Sequence, residues 1–267
     1  MFLHFGILLL LSHGLLGEVG VSEGIDGDTR IVGGKDATPG IAKYLVSIRA
    51  RNRNQEWHHC GGSILNEEYV LTAAHCLYKK RADELSIVAG SHKLNEGGER
   101  YKIKKLVIHE KYSKPTIKND IGVVQIEGKL KYNDKVQPIE LLKEMAPVGK
   151  KCLLTGWGYV NFNRKTVPNN LQMLEFKTIS NDDCTKQFKR SRYRIFVPVD
   201  AGQLCVKRPK NSGACKGDSG GPLVIQDEKN KTVQIGVVSW GIPCTAEFPD
   251  VFASVHGFYN WIQGKIK

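Results

Sequence analysis

An all-β fold, a barrel or a sandwich, is predicted by short apolar runs, by the turn residues that space them, and by how little of the chain carries a helical period. The runs are "YLVSI" (44–48), "GGSIL" (61–65), "YVLTAA" (69–74), "LSIVAG" (85–90), "YKIKKLVI" (101–108), "IGVVQI" (121–126), "CLLTGWG" (152–158), "GPLVI" (221–225) and "VQIGVVSWG" (233–241). Each is rich in Val, Ile or Leu and bounded by glycine or polar residues, as strands packed on one face require. Two places read as helix. In "SNDDCTKQF" Ser180 can cap an acidic first turn, and in the C-terminal "FYNWIQGKIK" Tyr259, Ile262 and Ile266 recur at spacings of three and four. No repeat or long linker interrupts the chain.

With 267 residues, 41% hydrophobic and 25% charged, the chain suits one globular unit or two small ones sharing a core. Its first residues, "MFLHFGILLLLSHGLLG", are apolar and read as a secretory signal peptide over 1–17, although a basic n-region is missing. No later run is long and apolar enough for a membrane helix. The expected product is secreted and extracellular, with no membrane span. Seven cysteines, Cys60, Cys76, Cys152, Cys184, Cys205, Cys215 and Cys244, imply disulfides with one thiol left over. No C-x-x-C pair occurs, and the histidines of "HHC" (58–60) read as structural beside a disulfide, so neither metal nor cofactor is expected.

The chemistry concentrates in "GACKGDSGGP" (213–222). Nucleophilic serine catalysis needs a hydroxyl, a base, a group that orients the base, and backbone donors for an oxyanion. Glycines around Ser219 allow a sharp turn in which the N–H groups of Gly217 and Ser219 share one target. His75 in "LTAAHC" is the candidate base, and Asp120 in "NDIGVVQI" the candidate orienting acid. Each alone also fits a turn, a core histidine or a strand-end charge. Their occurrence together in the order His, Asp, Ser is the stronger signal.

Taken with "RIVGG", "CGGSIL", "LTAAHC", "NDIG", "TGWG", "GDSGGPL" and "SWG", the chain resembles the chymotrypsin-family serine proteases from Ile31 to about Ile262. The resemblance is closest in pattern to insect chymotrypsin-like enzymes. It implies two six-stranded antiparallel β-barrels with the active site between them and a C-terminal helix. It also implies the roles that the family's catalytic template assigns: His75 general base, Asp120 orienting acid, Ser219 nucleophile, with Gly217 and Ser219 forming the oxyanion hole.

By the same resemblance, residues 18–30 are an activation propeptide and 31–267 the peptidase domain. Cleavage after Arg30 by a trypsin-like activating protease would free the amine of Ile31 to pair with Asp218, ordering the oxyanion loop; pairing offsets the burial of that carboxylate. The implied disulfides are Cys60–Cys76, Cys184–Cys205 and Cys215–Cys244. Cys152 is left as a buried free thiol, because Ile225 stands where its usual partner would be. The loop "GSHKLNEGGE" (90–99) has Ser91 and His92 where calcium ligands would begin, so calcium is not expected.

The implied specificity pocket is built from Gly213, Ala214, Ser239, Trp240, Gly241 and Asp250. Gly213 stands at the floor, where trypsin-like enzymes carry an aspartate, and Gly241 leaves the mouth open. Large apolar or aromatic P1 residues are the expected substrates. Asp250 leaves a second possibility: facing the pocket, it would add basic P1 residues or a collagenolytic range, as in insect chymotrypsins and crustacean enzymes with a glycine floor and an aspartate wall. Bonded to local backbone, it would only shorten the floor.

The net charge of +12 rises to about +15 once residues 1–30 are removed, because they hold four acidic side chains and one arginine. "KKRADE", "YKIKK" and "KQFKRSRYR" are expected on surface loops. Such a field reads first as a solvated face and second as a site for acidic polysaccharide. Nucleic acid is not an expected partner; protein substrates and protein protease inhibitors are, and a monomer is the expected state. "NKT" makes Asn230 a glycosylation acceptor in a polar turn. The competing class is a catalytically silent binding protein of the same fold, whose basic surface would be the functional part.

Overall fold

The computed structural model describes residues 33–160, 165–190, 194, 198–242 and 248–267. The signal peptide, Arg30, Ile31 and Cys244 lie outside the described residues.

In chain order the first half comprises β1 (Lys35–Asp36), β2 (Leu45–Arg51), β3 (Glu56–Ile64), β4 (Tyr69–Thr72), α1 (Ala74–Leu77), β5 (Leu85–Ala89), β6 (Glu99–Ile108) and β7 (Gly122–Ile126). Strands β2 to β7 close into a six-stranded antiparallel barrel in the order β2-β3-β4-β7-β6-β5. Its interior is filled by Ile48, Ile64, Leu71, Ile87 and Ile126, all essentially inaccessible. Register shifts at Ile48/Arg49 and Ile103/Lys105 bend the long strands, as closing so small a barrel demands. In β6 the residues Tyr101 and Ile103 point inward while Lys102 and Lys104 are exposed. The basic "YKIKK" is therefore the outer face of a strand, and the loop expected there is corrected: period-two alternation puts lysines on the solvent side without leaving the sheet.

The second half comprises β8 (Glu140–Leu141), β9 (Lys151–Gly156), β10 (Gln172–Ile179), α2 (Asn181–Lys189), β11 (Gln203–Lys207), β12 (Pro222–Gln226), β13 (Thr232–Trp240), β14 (Asp250–Ser254) and α3 (Val255–Lys265). Pairing runs β10-β11-β14-β13-β12-β9, and β9 also pairs with β10, which closes a second six-stranded barrel. Strand β1 adds to the edge of β10, and β8 runs parallel to β13. Leu154, Phe176, Leu223 and Phe252 fill this core, with the two phenylalanine rings edge to face at 6.4 Å.

Both expected helices form. Ser180 caps α2 by accepting from Asp183 N at 3.0 Å, and Ser254 caps α3 by accepting from Gly257 N at 3.2 Å. The buried stripe of α3 is Val255, Phe258 and Ile262; of the expected Tyr259–Ile262–Ile266 stripe, Ile262 is buried and Ile266 packs partly buried against the same core, while Phe258 takes the place of Tyr259 because it lies on the same face as Val255 and Ile262. This stripe joins the core of the first barrel. Glu110, just after β6, binds the same helix through Trp261 Nε1 at 2.8 Å and Lys265 Nζ at 2.5 Å. The C-terminus thus straps the second barrel to the first. Cys60–Cys76 and Cys184–Cys205 are bonded as expected. Cys215 is disulfide-bonded, and Cys152 is free and buried beside Ile225 in the second core.

Candidate active site

His75 sits in α1, a single turn directly after β4, with the Cys60–Cys76 disulfide tying that turn back to β3. Both sulfurs are consumed in the disulfide, so the cluster of Cys60, His75 and Cys76 offers no thiolate to a metal. Asp120 is buried at the head of β7, next to Asn119, whose positive φ of 53° turns the chain inward. Its carboxylate accepts from His75 N and from His75 Nδ1, each at 2.8 Å, and from Ser239 Oγ at 2.6 Å. With Nδ1 facing Asp120, Nε2 is the ring nitrogen left over, 3.8 Å from Cys76 Sγ, on a side chain 29% exposed. Ser239, expected only as a pocket residue, therefore also fixes the carboxylate.

Ser219 is brought to the same place by backbone. Gly61 N of β3 donates to Ser219 O at 2.8 Å, and Gly220 N donates to Val238 O at 2.9 Å. Gly220 has φ of 77°, and a Cβ there would lie 2.1 Å from Thr72 Oγ1 and 3.2 Å from Ala73 N. Only glycine permits the Ser219 loop to approach the β4–α1 corner that carries His75.

The loop's donors are aimed by what holds its carbonyls. Lys216 O accepts from Tyr159 N at 2.8 Å, and Asp218 O accepts from Gly221 N at 2.9 Å. In a planar trans peptide the N–H points opposite the C=O, so these bonds direct Gly217 N–H and Ser219 N–H away from Tyr159 and Gly221. The intervening Gly217 O accepts from His58 Nε2 at 2.8 Å, and His58 Nδ1 in turn accepts from Ser47 Oγ at 2.7 Å. Burial holds the His58 imidazole down to about 4, so it stays neutral. His58, singled out in sequence only as structural, buttresses the loop that carries Gly217 and Ser219.

Asp218 is enclosed between the barrels. Its Oδ1 accepts from Gly158 N at 2.8 Å and its Oδ2 from Cys215 N at 2.9 Å. Burial pushes its carboxyl up to about 7 against the pull of these two donors, with Asp250 raising it further. A cation brought beside it would be strongly favoured.

Next to Ser219 opens a cavity of about 320 Å³ lined by Ala214, Ser239, Trp240, Gly241 and Asp250, among others. Five of the six expected pocket residues thus surround one cavity. Asp250 faces it, but both of its oxygens are engaged: Oδ1 accepts from Arg208 Nη2 at 2.5 Å and Oδ2 from Ala214 N at 3.0 Å. The Arg208 and Asp250 side chains are only 4% and 3% exposed, and Arg208 Nη2 also donates to Ile242 O at 2.9 Å. Burial pushes the Asp250 carboxyl above its ordinary value, with Arg208 the main opposing influence. A Cβ on Gly213 would meet Arg208 Nε at 2.9 Å, so the space that a floor side chain would take holds Arg208. Arg208 does not itself line the cavity, but it stands behind Gly213 and Asp250, and sequence reading missed it. No local pattern marks it, because its partner lies 42 residues away.

Asn230 is exposed in the turn after β12, with φ of 62°. Among the described residues no helix is long and apolar enough to cross a membrane.

Comparison with known proteins agrees with this geometry. Chymotrypsin-2 of Vespa crabro is 38% identical over 234 residues, covering 87% of this chain and 98% of that protein. Trypsin theta of Drosophila melanogaster is 33% identical over 265 residues, covering 96% and 94%, and Serine protease 1 of Rattus norvegicus is 33% identical over 247 residues, covering 91% and 92%. The family model described as Trypsin matches residues 31–262, which span both barrels, and the chain belongs to the trypsin family of serine proteases.

Proposed function

We propose that the chain is a secreted endopeptidase, made as a zymogen, that cleaves after large apolar or aromatic residues through an acyl-enzyme on Ser219. The observation that carries the reading is the Asp120 carboxylate bonded to both His75 N and His75 Nδ1, which leaves Nε2 for the role of base. In this mechanism Nε2 takes the Ser219 Oγ proton as the oxygen attacks the scissile carbonyl. Gly217 N–H and Ser219 N–H receive the developing oxyanion, and the imidazolium, stabilised by Asp120, returns its proton to the leaving amine. Water activated by His75 then releases the acid product. These roles are those of the family's established template and add no new chemistry.

Activation by cleavage after Arg30 is supported by the burial of Asp218, whose raised carboxyl would be relieved by an ammonium from Ile31. Secretion is supported by the apolar leader and the disulfides. An apolar P1 preference is supported by the cavity beside Ser219 and by the name of the wasp relative, Chymotrypsin-2. Protein substrates, protein inhibitors and a trypsin-like activator are the proposed partners. Glycosylation at Asn230 is compatible with its exposed turn.

The test is to express the full chain, activate it with trypsin and profile P1 with a peptide library. Phe, Tyr or Leu should lead, Ser219→Ala and His75→Ala should lose several orders of magnitude in kcat, and Arg30→Gln should remain an inactive precursor. Comparable turnover by Ser219→Ala would sink the catalytic assignment; full activity of trypsin-treated Arg30→Gln would sink the activation mechanism.

A further inference from the structure

We infer that Arg208 is a specificity-determining residue: it stands behind the end wall of the P1 cavity and occupies Asp250, so that the enzyme accepts uncharged P1 side chains and refuses lysine and arginine. The inference rests on the reading of the cavity beside Ser219 as the P1 site.

Four contacts hold Arg208 there. Arg208 fills the Cβ direction of Gly213, at 2.9 Å from Nε and 3.0 Å from Cδ and Cζ. Its Nη2 lies 2.9 Å from where a Cβ on Gly241 would stand, and it binds Asp250 Oδ1 and Ile242 O. The guanidinium therefore lies between the floor glycine and the glycine at the mouth, where the cation of a basic P1 residue would seek Asp250. A glycine at 213 is the condition for this arrangement, since any side chain there would collide with Arg208.

Charge decides what such an end can receive. Arg208 and Asp250 form a net-neutral buried pair, and the remaining Asp250 oxygen is taken by Ala214 N. An incoming lysine or arginine would meet a like charge and a carboxylate already satisfied, with no second anion lining the cavity among the described residues. An acidic P1 residue would compete with Asp250 for Arg208 and leave a buried carboxylate behind. An apolar side chain displaces only water. Asp250 is thus a partner held by the protein for its own arginine, and the dual specificity that Asp250 suggests in sequence is masked.

The experiment is to remove the Arg208 side chain and look for a gained activity. In Arg208→Ala, kcat/KM for an Arg P1 substrate relative to a Phe P1 substrate should rise at least tenfold over wild type. Inhibition by benzamidine, an amidinium of the size of the lost guanidinium, should tighten at least tenfold. Arg208→Ala/Asp250→Asn should lose both gains. Should Arg208→Ala not fold, Arg208→Gln keeps a donor to Asp250 without the charge and is measured in the same way. An unchanged Arg/Phe ratio together with unchanged benzamidine inhibition in the folded variant overturns the inference, as does wild-type cleavage after Arg that exceeds cleavage after Phe. Wild-type preference for Ala or Val at P1 would instead overturn the aromatic reading, and the benzamidine comparison would still decide the role of Arg208.

Discussion

Gly158→Ala adds one methyl group to the molecule and is expected to disable it. A Cβ there would lie 2.1 Å from Asp218 Oδ2 and 2.3 Å from its Cγ, well inside van der Waals contact. Asp218 is 1% exposed and has no free volume to retreat into. It can clear the methyl only by giving up Gly158 N and Cys215 N, the two donors that hold its carboxyl. At about 1–3 kcal/mol for each buried bond left unmade, that loss amounts to about 2–6 kcal/mol. The less costly response is for residues 215–219 to leave their place, which turns Gly217 N–H and Ser219 N–H away from a common target. One oxyanion donor is worth about 10²–10³ in kcat, so kcat/KM should fall at least about 100-fold. Steady-state hydrolysis of a Phe P1 ester, with active-site titration to count competent enzyme and a thermal melt to establish folding, measures it. Gly264→Ala is the control: no atom stands within 4 Å of its Cβ and it lies in α3, so activity should be retained and the melting temperature unchanged or raised. A Gly158→Ala enzyme within threefold of wild-type kcat/KM would refute the claim that Asp218 packing aims the oxyanion loop.

Two further outcomes follow from burial. His58 is neutral in the fold, with its imidazole held down to about 4, whereas the unfolded chain takes up that proton near 6.5. Its contribution to stability is complete above about 6.5 and is lost as pH falls toward 4, by up to about 1.4 kcal/mol per pH unit. Denaturant titrations over that range should show a shallower acid limb for His58→Gln than for wild type, and parallel limbs would count against it. Cys152 has a thiol pushed up to about 12 by burial, so iodoacetamide at pH 8 should label it slowly in the native protein and fully in guanidinium. Native labelling at the rate of an exposed cysteine would contradict its burial.

Much of the fold was legible because strands announce themselves locally. The apolar runs from "YLVSI" to "VQIGVVSWG" all fall on barrel strands or their immediate flanks. The barrel strands that escaped notice, β10, β11 and β14, all belong to the second barrel. In β10, "QMLEFKTI" alternates buried Leu174, Phe176 and Thr178 with exposed Glu175 and Lys177, so it shows no continuous apolar run. β11 and β14 begin or end on polar residues, Gln203, Lys207 and Asp250, which leave only short apolar stretches between them.

By itself the sequence determined the groups whose chemistry is local: the glycines that let the Ser219 loop turn, the cysteine adjoining His75, and the alternation that places lysines outside β6. The tertiary structure alone decided which distant groups share a charge or a hydrogen bond. Arg208 meets Asp250 across 42 residues, Ser239 meets Asp120 across 119, and His58 meets Gly217 across 159. No period or motif relates such pairs, because they are made by closing two barrels and pressing them together. The physical reason is that burial determines the fate of each polar group: a carboxylate shut away from water must find a donor wherever the closed fold supplies one. For Asp250 the fold supplies Arg208, turning an aspartate that sequence offers to the substrate into one bound by the protein itself.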